Sequence, residues 1–188
     1  GIGDATMDMI LDAFRDVKVY NRGHRIEHMS VLRPDQLERL KELGLYASVQ
    51  PHFVISDRWA IDRLGMERSS FIHSFKSILQ SGIPMAFGTD APVEELNPWQ
   101  TVYAAVTRGK FEGIPLAKVT PNEVLSVKEA VYCYTKDAGI VMHDPDIGVL
   151  KEGGPADFIV VGENPFRADP LHLKDIKAFE AYINGKQV

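Results

Sequence analysis

Apolar positions along the chain recur at two spacings, and the alternation between them predicts its elements. Met7, Ile10, Leu11 and Phe14 repeat at helical spacing behind Asp4, which reads as an N-cap. Arg25 to Met29 is short and strand-like. Pro34 stands at the first position of a second helix, Leu37, Leu40 and Leu43 share one face of it, and Gly44 stops it. Leu45 to Gln50 reads as a strand that ends at Pro51. Phe71, Phe75, Ile78 and Leu79 mark a third helix, closed by Ser81 and Gly82. Pro84 to Thr89 reads as a strand with Asp90 at its end, and Pro98 opens a fourth helix carrying Val102, Tyr103 and Val106.

Strands that alternate with helices argue for a parallel sheet with right-handed crossovers. Three strands cannot close a barrel of eight. The chain is therefore either a small open α/β sheet or a slice of something larger. Beyond the fourth helix the pattern changes. Ser126 to Glu129 is a capping-box signature ahead of Ala130, Val131, Tyr134 and Ala138. After a stretch rich in Gly and Pro, Ala156 to Val161 is strand-like. Phe179 to Ile183 then precedes Asn184-Gly185, a strong hairpin signal. The expected organisation is an α/β unit with a helical connector over residues 1–143, then a small β segment over 144–188.

Charge narrows the partners. With 21 Lys and Arg against 26 Asp and Glu the net charge is −5, and no basic run stands out. Nucleic acid and anionic membranes are excluded as expected partners. The apolar stretches are strand-sized, short of a membrane span. A single cysteine, Cys133, rules out a disulfide framework and makes the cytoplasm the expected location. It reads as a small buried residue. The chain starts at Gly1 with no initiator Met and no signal pattern, as expected for a processed product or part of a longer chain.

In parallel α/β sheets ligands bind at the carboxyl ends of strands. His28, His52 and Asp90 each fall at or just after such an end. With a side-chain period of two, an inward Asp90 shares its face with Gly88 and Ala86, and an inward His28 with Ile26 and His24. Arg25 and Glu27 would then face the other way and could pair. Imidazole and carboxylate are ligands for zinc and similar metals. Such a metal lowers the pKa of the water it binds, and a nearby carboxylate such as Asp90 can carry that proton to a leaving group. Each residue also has a structural reading. His28 could be a hydrogen-bonded strand-end histidine, Gly88-Thr89-Asp90 an Asx turn, and His52 a loop residue. His73, on a helix, and His143 and His172, in loops, read as surface or packing residues. Tyr132, Tyr134, Phe71 and Phe75 read as core. No Gly-rich loop between strand and helix supports a phosphate site.

The runs Arg25-Ile26-Glu27-His28, Gln50-Pro51-His52 and Gly88-Thr89-Asp90-Ala91-Pro92-Val93, in that order, resemble the amidohydrolase superfamily. The resemblance is specifically to the metal-dependent hydrolases of amidohydrolase family 3. It extends through Asn97-Pro98, Ala104 to Arg108, Glu129-Ala130, Tyr134-Thr135, Gly148 to Gly153, Ala156 to Val161 and Asn184-Gly185-Lys186, nearly the whole chain.

The resemblance implies a partial (β/α)8 barrel, its last three strand–helix units, followed by part of the family's small β-sandwich. It implies a site at the barrel's carboxyl face with one or two divalent metals, zinc foremost. His28 matches the family's sixth-strand ligand and Asp90 its eighth-strand aspartate, the catalytic carboxylate. His52 matches a position after the seventh strand that touches substrate. The family's His-x-His pair and fourth-strand ligand have no counterpart here. Two ligands alone should hold zinc weakly. The expected function is the C-terminal portion of a hydrolase that cleaves amide or other C–N bonds of small molecules through a metal-activated water. This portion alone would be inactive, and would self-associate or pair with a missing N-terminal portion. The alternative is a non-catalytic binding or assembly module on the same fold. The hydrolase expectation has His28 and Asp90 converging from neighbouring strand tips onto one pocket.

Overall fold

The first helix, α1 (Asp4–Asp16), buries Met7 and Leu11 at the spacing expected. Its N-cap is Gly3 rather than Asp4. Asp4 lies one residue inside the helix, where its carboxylate takes Arg68 as ion partner. The computed structural model describes all residues from Gly1 to Val188. Strand β1 (Arg25–Glu27) follows, then α2 (Pro34–Leu43), with Pro34 at its start and Gly44 closing it at φ 65°. A side chain at Gly44 would need a left-handed backbone and would collide with Asn21, so glycine is required there. Strand β2 (Tyr46–Val49) is next.

Two short helices that the apolar spacing did not announce, α3 (Phe53–Ser56) and α4 (Ala60–Ser69), follow β2. The second is interrupted at Gly65, φ 75°. Helix α5 (Phe75–Gln80) is shorter than expected. Phe71 stands outside it, in a turn beside the bridge between Val31 and Ile72. Strand β3 (Met85–Phe87) and helix α6 (Pro98–Thr107) complete the repeating part. Asn97 caps α6, accepting from the Trp99 amide at 3.0 Å.

Strands β1, β2 and β3 form one parallel sheet in that order. Register puts Ile26, Ala47 and Met85 in one row, all buried. Val49 and Phe87 form the next row on that face, and Phe87 meets Phe75 edge-on at 6.0 Å. This face therefore lies under the helices. Arg25, Glu27, Tyr46, Ser48 and Ala86 share the opposite face. The expected pairing of Arg25 with Glu27 is present at 2.6 Å. Grouping His28 with Ile26 was wrong. The backbone turns left-handed at His28, φ 75°, and the alternation stops there.

Helices α7 (Leu116–Val119), α8 (Val127–Tyr134) and α9 (Lys136–Val141) follow. The Ser126–Glu129 capping box is formed in both directions, and α8 and α9 pack on the sheet. Cys133 is buried, and burial pushes its thiol up to about 12. Phe75 is core, whereas Tyr132 is exposed, contrary to its reading as core.

Arg108 ends α6 with a left-handed backbone, φ 55°, and is fully buried. Its guanidinium donates to the carbonyls of Ile72 at 2.8 Å and His73 at 3.0 Å, and to Thr120 Oγ1 at 2.6 and 2.9 Å. One side chain thus ties the end of α6 to the turn before α5 and to the end of α7. His73 lies in that turn, not on a helix, and is buried. Burial, then the positive charge of Arg108, holds its imidazole down at about 3.

The remainder forms a separate antiparallel sheet of β4 (Phe158–Val161), β5 (Ala178–Ile183) and β6 (Lys186–Gln187). Asn184 and Gly185 both have positive φ, as a two-residue hairpin turn of type I′ demands. A 3₁₀ segment, Pro170–Asp175, packs against α6. No helix is long and apolar enough to cross a membrane.

Candidate active site

His28, His52 and Asp90 all follow the carboxyl ends of the parallel strands, as expected from sequence. The tips of β1 and β3 are not neighbours, however, because β2 lies between them. At ordinary strand spacing the outer tips are about 10 Å apart. The tip of β2, Gln50-Pro51-His52, occupies the gap.

The ladder holds these tips in place. The His28 amide donates to the Ser48 carbonyl at 2.8 Å, and the Gly88 amide to that of Val49 at 3.0 Å. Immediately beyond, the backbone leaves extended geometry. His28 and Asp90 have φ of 75° and 57°. Positive φ is uncommon outside glycine, and His, Asp and Asn adopt it more readily than most residues. Asp90 is exposed; His28 and His52 are half-buried.

Each imidazole is held by the next tip along. His28 Nδ1 lies 3.0 Å from Gln50 Oε1, and Gln50 is buried. An amide oxygen only accepts, so Nδ1 donates, and in the neutral ring Nε2 keeps its lone pair. The ring also stacks against Phe53 at 6.4 Å. His52 Nδ1 in turn lies 2.7 Å from Glu94 Oε2, just beyond the tip of β3. Neither Gln50 nor Glu94 emerges from the sequence as a site residue. Gln50 is visible there only as part of the Gln50-Pro51-His52 run, and the one signal of Glu94 is its place four residues after Asp90.

Beside His28, burial opposes ionisation of Glu27. Hydrogen bonds from Ser48 and Arg25 outweigh it and hold the carboxyl below its usual range. At the end of α3, burial and then the charge of Glu94 push the Asp57 carboxyl up.

His28 Nε2 and the Asp90 carboxylate are the nitrogen and oxygen donors a divalent metal such as zinc prefers. A ring nitrogen tied to an oxygen acceptor is the usual arrangement behind a metal-bound histidine. The two fit such a metal as part of a donor set. No group of three or more His, Cys, Asp or Glu able to hold a metal ion is present.

A parallel α/β sheet with imidazoles and a carboxylate at its carboxyl tips defines an α/β protein with a strand-tip polar site. A model of the amidohydrolase family, Amidohydro_3, matches residues 1–188, and the chain belongs to that family. The putative amidohydrolase YtcJ of Bacillus subtilis strain 168 is 36% identical over 192 residues, covering 100% of this chain and 36% of that protein. Protein LONG AFTER FAR-RED 3 of Arabidopsis thaliana is 32% identical over 198 residues, covering 100% of this chain and 33% of that one. The crystal structure of an uncharacterized metal-dependent hydrolase from Pyrococcus horikoshii OT3 superposes with a TM-score of 0.84 at 40% identity. That match covers 92% of this chain and 35% of the other. The chain thus spans about a third of the length of these relatives.

Proposed function

We propose that this chain supplies the C-terminal part of the active site of a metal-dependent hydrolase acting on amide or other C–N bonds of small molecules. The observation that carries the proposal is the pair of strand tips. His28, with Nδ1 tied to Gln50, and Asp90 stand at the carboxyl end of one parallel sheet, each on left-handed backbone. The family and the designation of the Pyrococcus horikoshii relative as a metal-dependent hydrolase support it.

In this reading His28 Nε2 and Asp90 would hold the metal, preferably zinc, together with ligands from further strands of a (β/α)8 barrel. Residues 1–143 form the last three strand–helix units of that barrel, and 144–188 belong to a small β-sandwich. A bound divalent metal supplies Lewis-acid polarisation of a carbonyl and acidifies water. Asp90, exposed just past β3, would take the proton of the attacking water and deliver it to the leaving nitrogen. His52, held by Glu94, faces the substrate.

Metal analysis of the intact protein, paired with Asp90→Asn, tests this. Stoichiometric metal and a fall in turnover of about 10²–10⁴-fold are expected. Near-wild-type turnover would remove Asp90 from the chemistry, and a metal-free active protein would remove the metal.

A further inference from the structure

His52 and Glu94 come from different strand tips and make a short, sheltered contact. Nδ1 and Oε2 are 2.7 Å apart, and the two side chains are 20% and 14% exposed. A carboxylate accepts and does not donate, so the ring donates from Nδ1. In the neutral ring Nε2 is then an acceptor, and it is the nitrogen left for a ligand. No Lys or Arg pairs with Glu94; His52 is its hydrogen-bond partner. Gln50, two residues before His52, is committed to His28. The imidazole is therefore the one hydrogen-bond partner of this carboxylate.

We propose that Glu94 is a positioning residue that locks His52 in its Nδ1–H form, so that Nε2 accepts a hydrogen bond from the N–H of a substrate amide. This rests on His52 as a substrate contact and adds a specificity to it. Amides that keep an N–H are favoured over N,N-disubstituted ones. An acceptor that must match a donor discriminates in a way an apolar wall does not. An N-methyl group placed there loses the hydrogen bond and leaves Nε2 desolvated without a partner.

The test uses the intact protein labelled with ¹⁵N, its imidazoles read by long-range ¹H–¹⁵N correlation at a pH where His52 is neutral. In wild type, His52 should show a protonated Nδ1 and a pyridine-type Nε2. Titration with N-methylacetamide, which has one N–H, should move the Nε2 resonance. N,N-dimethylacetamide should not. In Glu94→Ala, with backbone resonances elsewhere unchanged, His52 should show both tautomers and the response to N-methylacetamide should weaken about tenfold. A protonated Nε2 in wild type, equal responses to the two amides, or an unaltered tautomer in Glu94→Ala would each overturn the proposal. None of these readouts needs turnover. Failure of the hydrolase reading appears separately, in metal analysis and in Asp90→Asn.

Discussion

At the residue scale, the geometry makes the side chains behind the candidates as informative as the candidates. Gln50→Leu keeps bulk at the tip of β2 but removes the acceptor for His28 Nδ1. Loss of such a partner typically costs 10- to 100-fold in metal affinity. Competition against a chelator in the intact protein should show a drop of that order. His73 gives a pH prediction. Burial, then the charge of Arg108, holds its imidazole at about 3 in the fold, below the ordinary histidine value of 6.5. Between those limits the unfolded chain binds a proton that the folded chain refuses. Stability should be fully present above pH 6.5 and fall towards pH 3, by about 1.4 kcal/mol per unit from this group alone. Denaturant midpoints across that range check it, and His73→Asn, whose side chain tolerates left-handed backbone, should flatten the slope. Of these residues, His28, His52 and Asp90 were legible in sequence because strand ends are where α/β proteins place chemistry. Gln50, Glu94 and the buried state of His73 were not. Each depends on which tip or helix packs beside it, and spacing along the chain does not encode that.

At the element scale, most helices with local signals matched them, although Gly3 and not Asp4 caps α1. Pro34 and Gly44 bracket α2, Asn97-Pro98 opens α6, and Ser126 with Glu129 caps α8. The hairpin at Asn184-Gly185 was legible for the same reason: its residues answer a backbone demand. Helices α3 and α4 carried no such marks. They are short, and one is split at Gly65. The face of β1 was misassigned because strict alternation was extended through His28, where the backbone turns. Arg108 is the side chain that joins three parts of the chain at once, the end of α6, the turn before α5 and the end of α7. Replacing it with Met keeps bulk but leaves the Ile72 carbonyl without a donor, and the His73 carbonyl with the Phe75 amide alone, in a dry interior. A loss of about 3 kcal/mol is expected, read as a lower denaturant midpoint.

At the scale of the molecule, the two sheets differ in cover. The parallel sheet lies under helices, whereas the antiparallel one exposes Ile159, Phe179, Ile183 and the neighbouring Val188. Apolar surface of that kind invites association. The 188-residue chain by itself should form oligomers in light scattering, and a clean, stable monomer would count against this. The parallel order of three strands was readable from the rhythm of the chain, but the uncovered β segment was not, since nothing in its pattern tells an inner face from an outer one. The twisted backbone beneath His28 and Asp90 has a further effect, on how this protein can change over generations. Branched aliphatic residues are strained in that conformation, whereas Asn and Gly accept it. Drift away from today's chemistry at either place has few open doors. A descendant that abandoned it would keep a small, polar or bare residue there, and so would carry a visible scar of its ancestry.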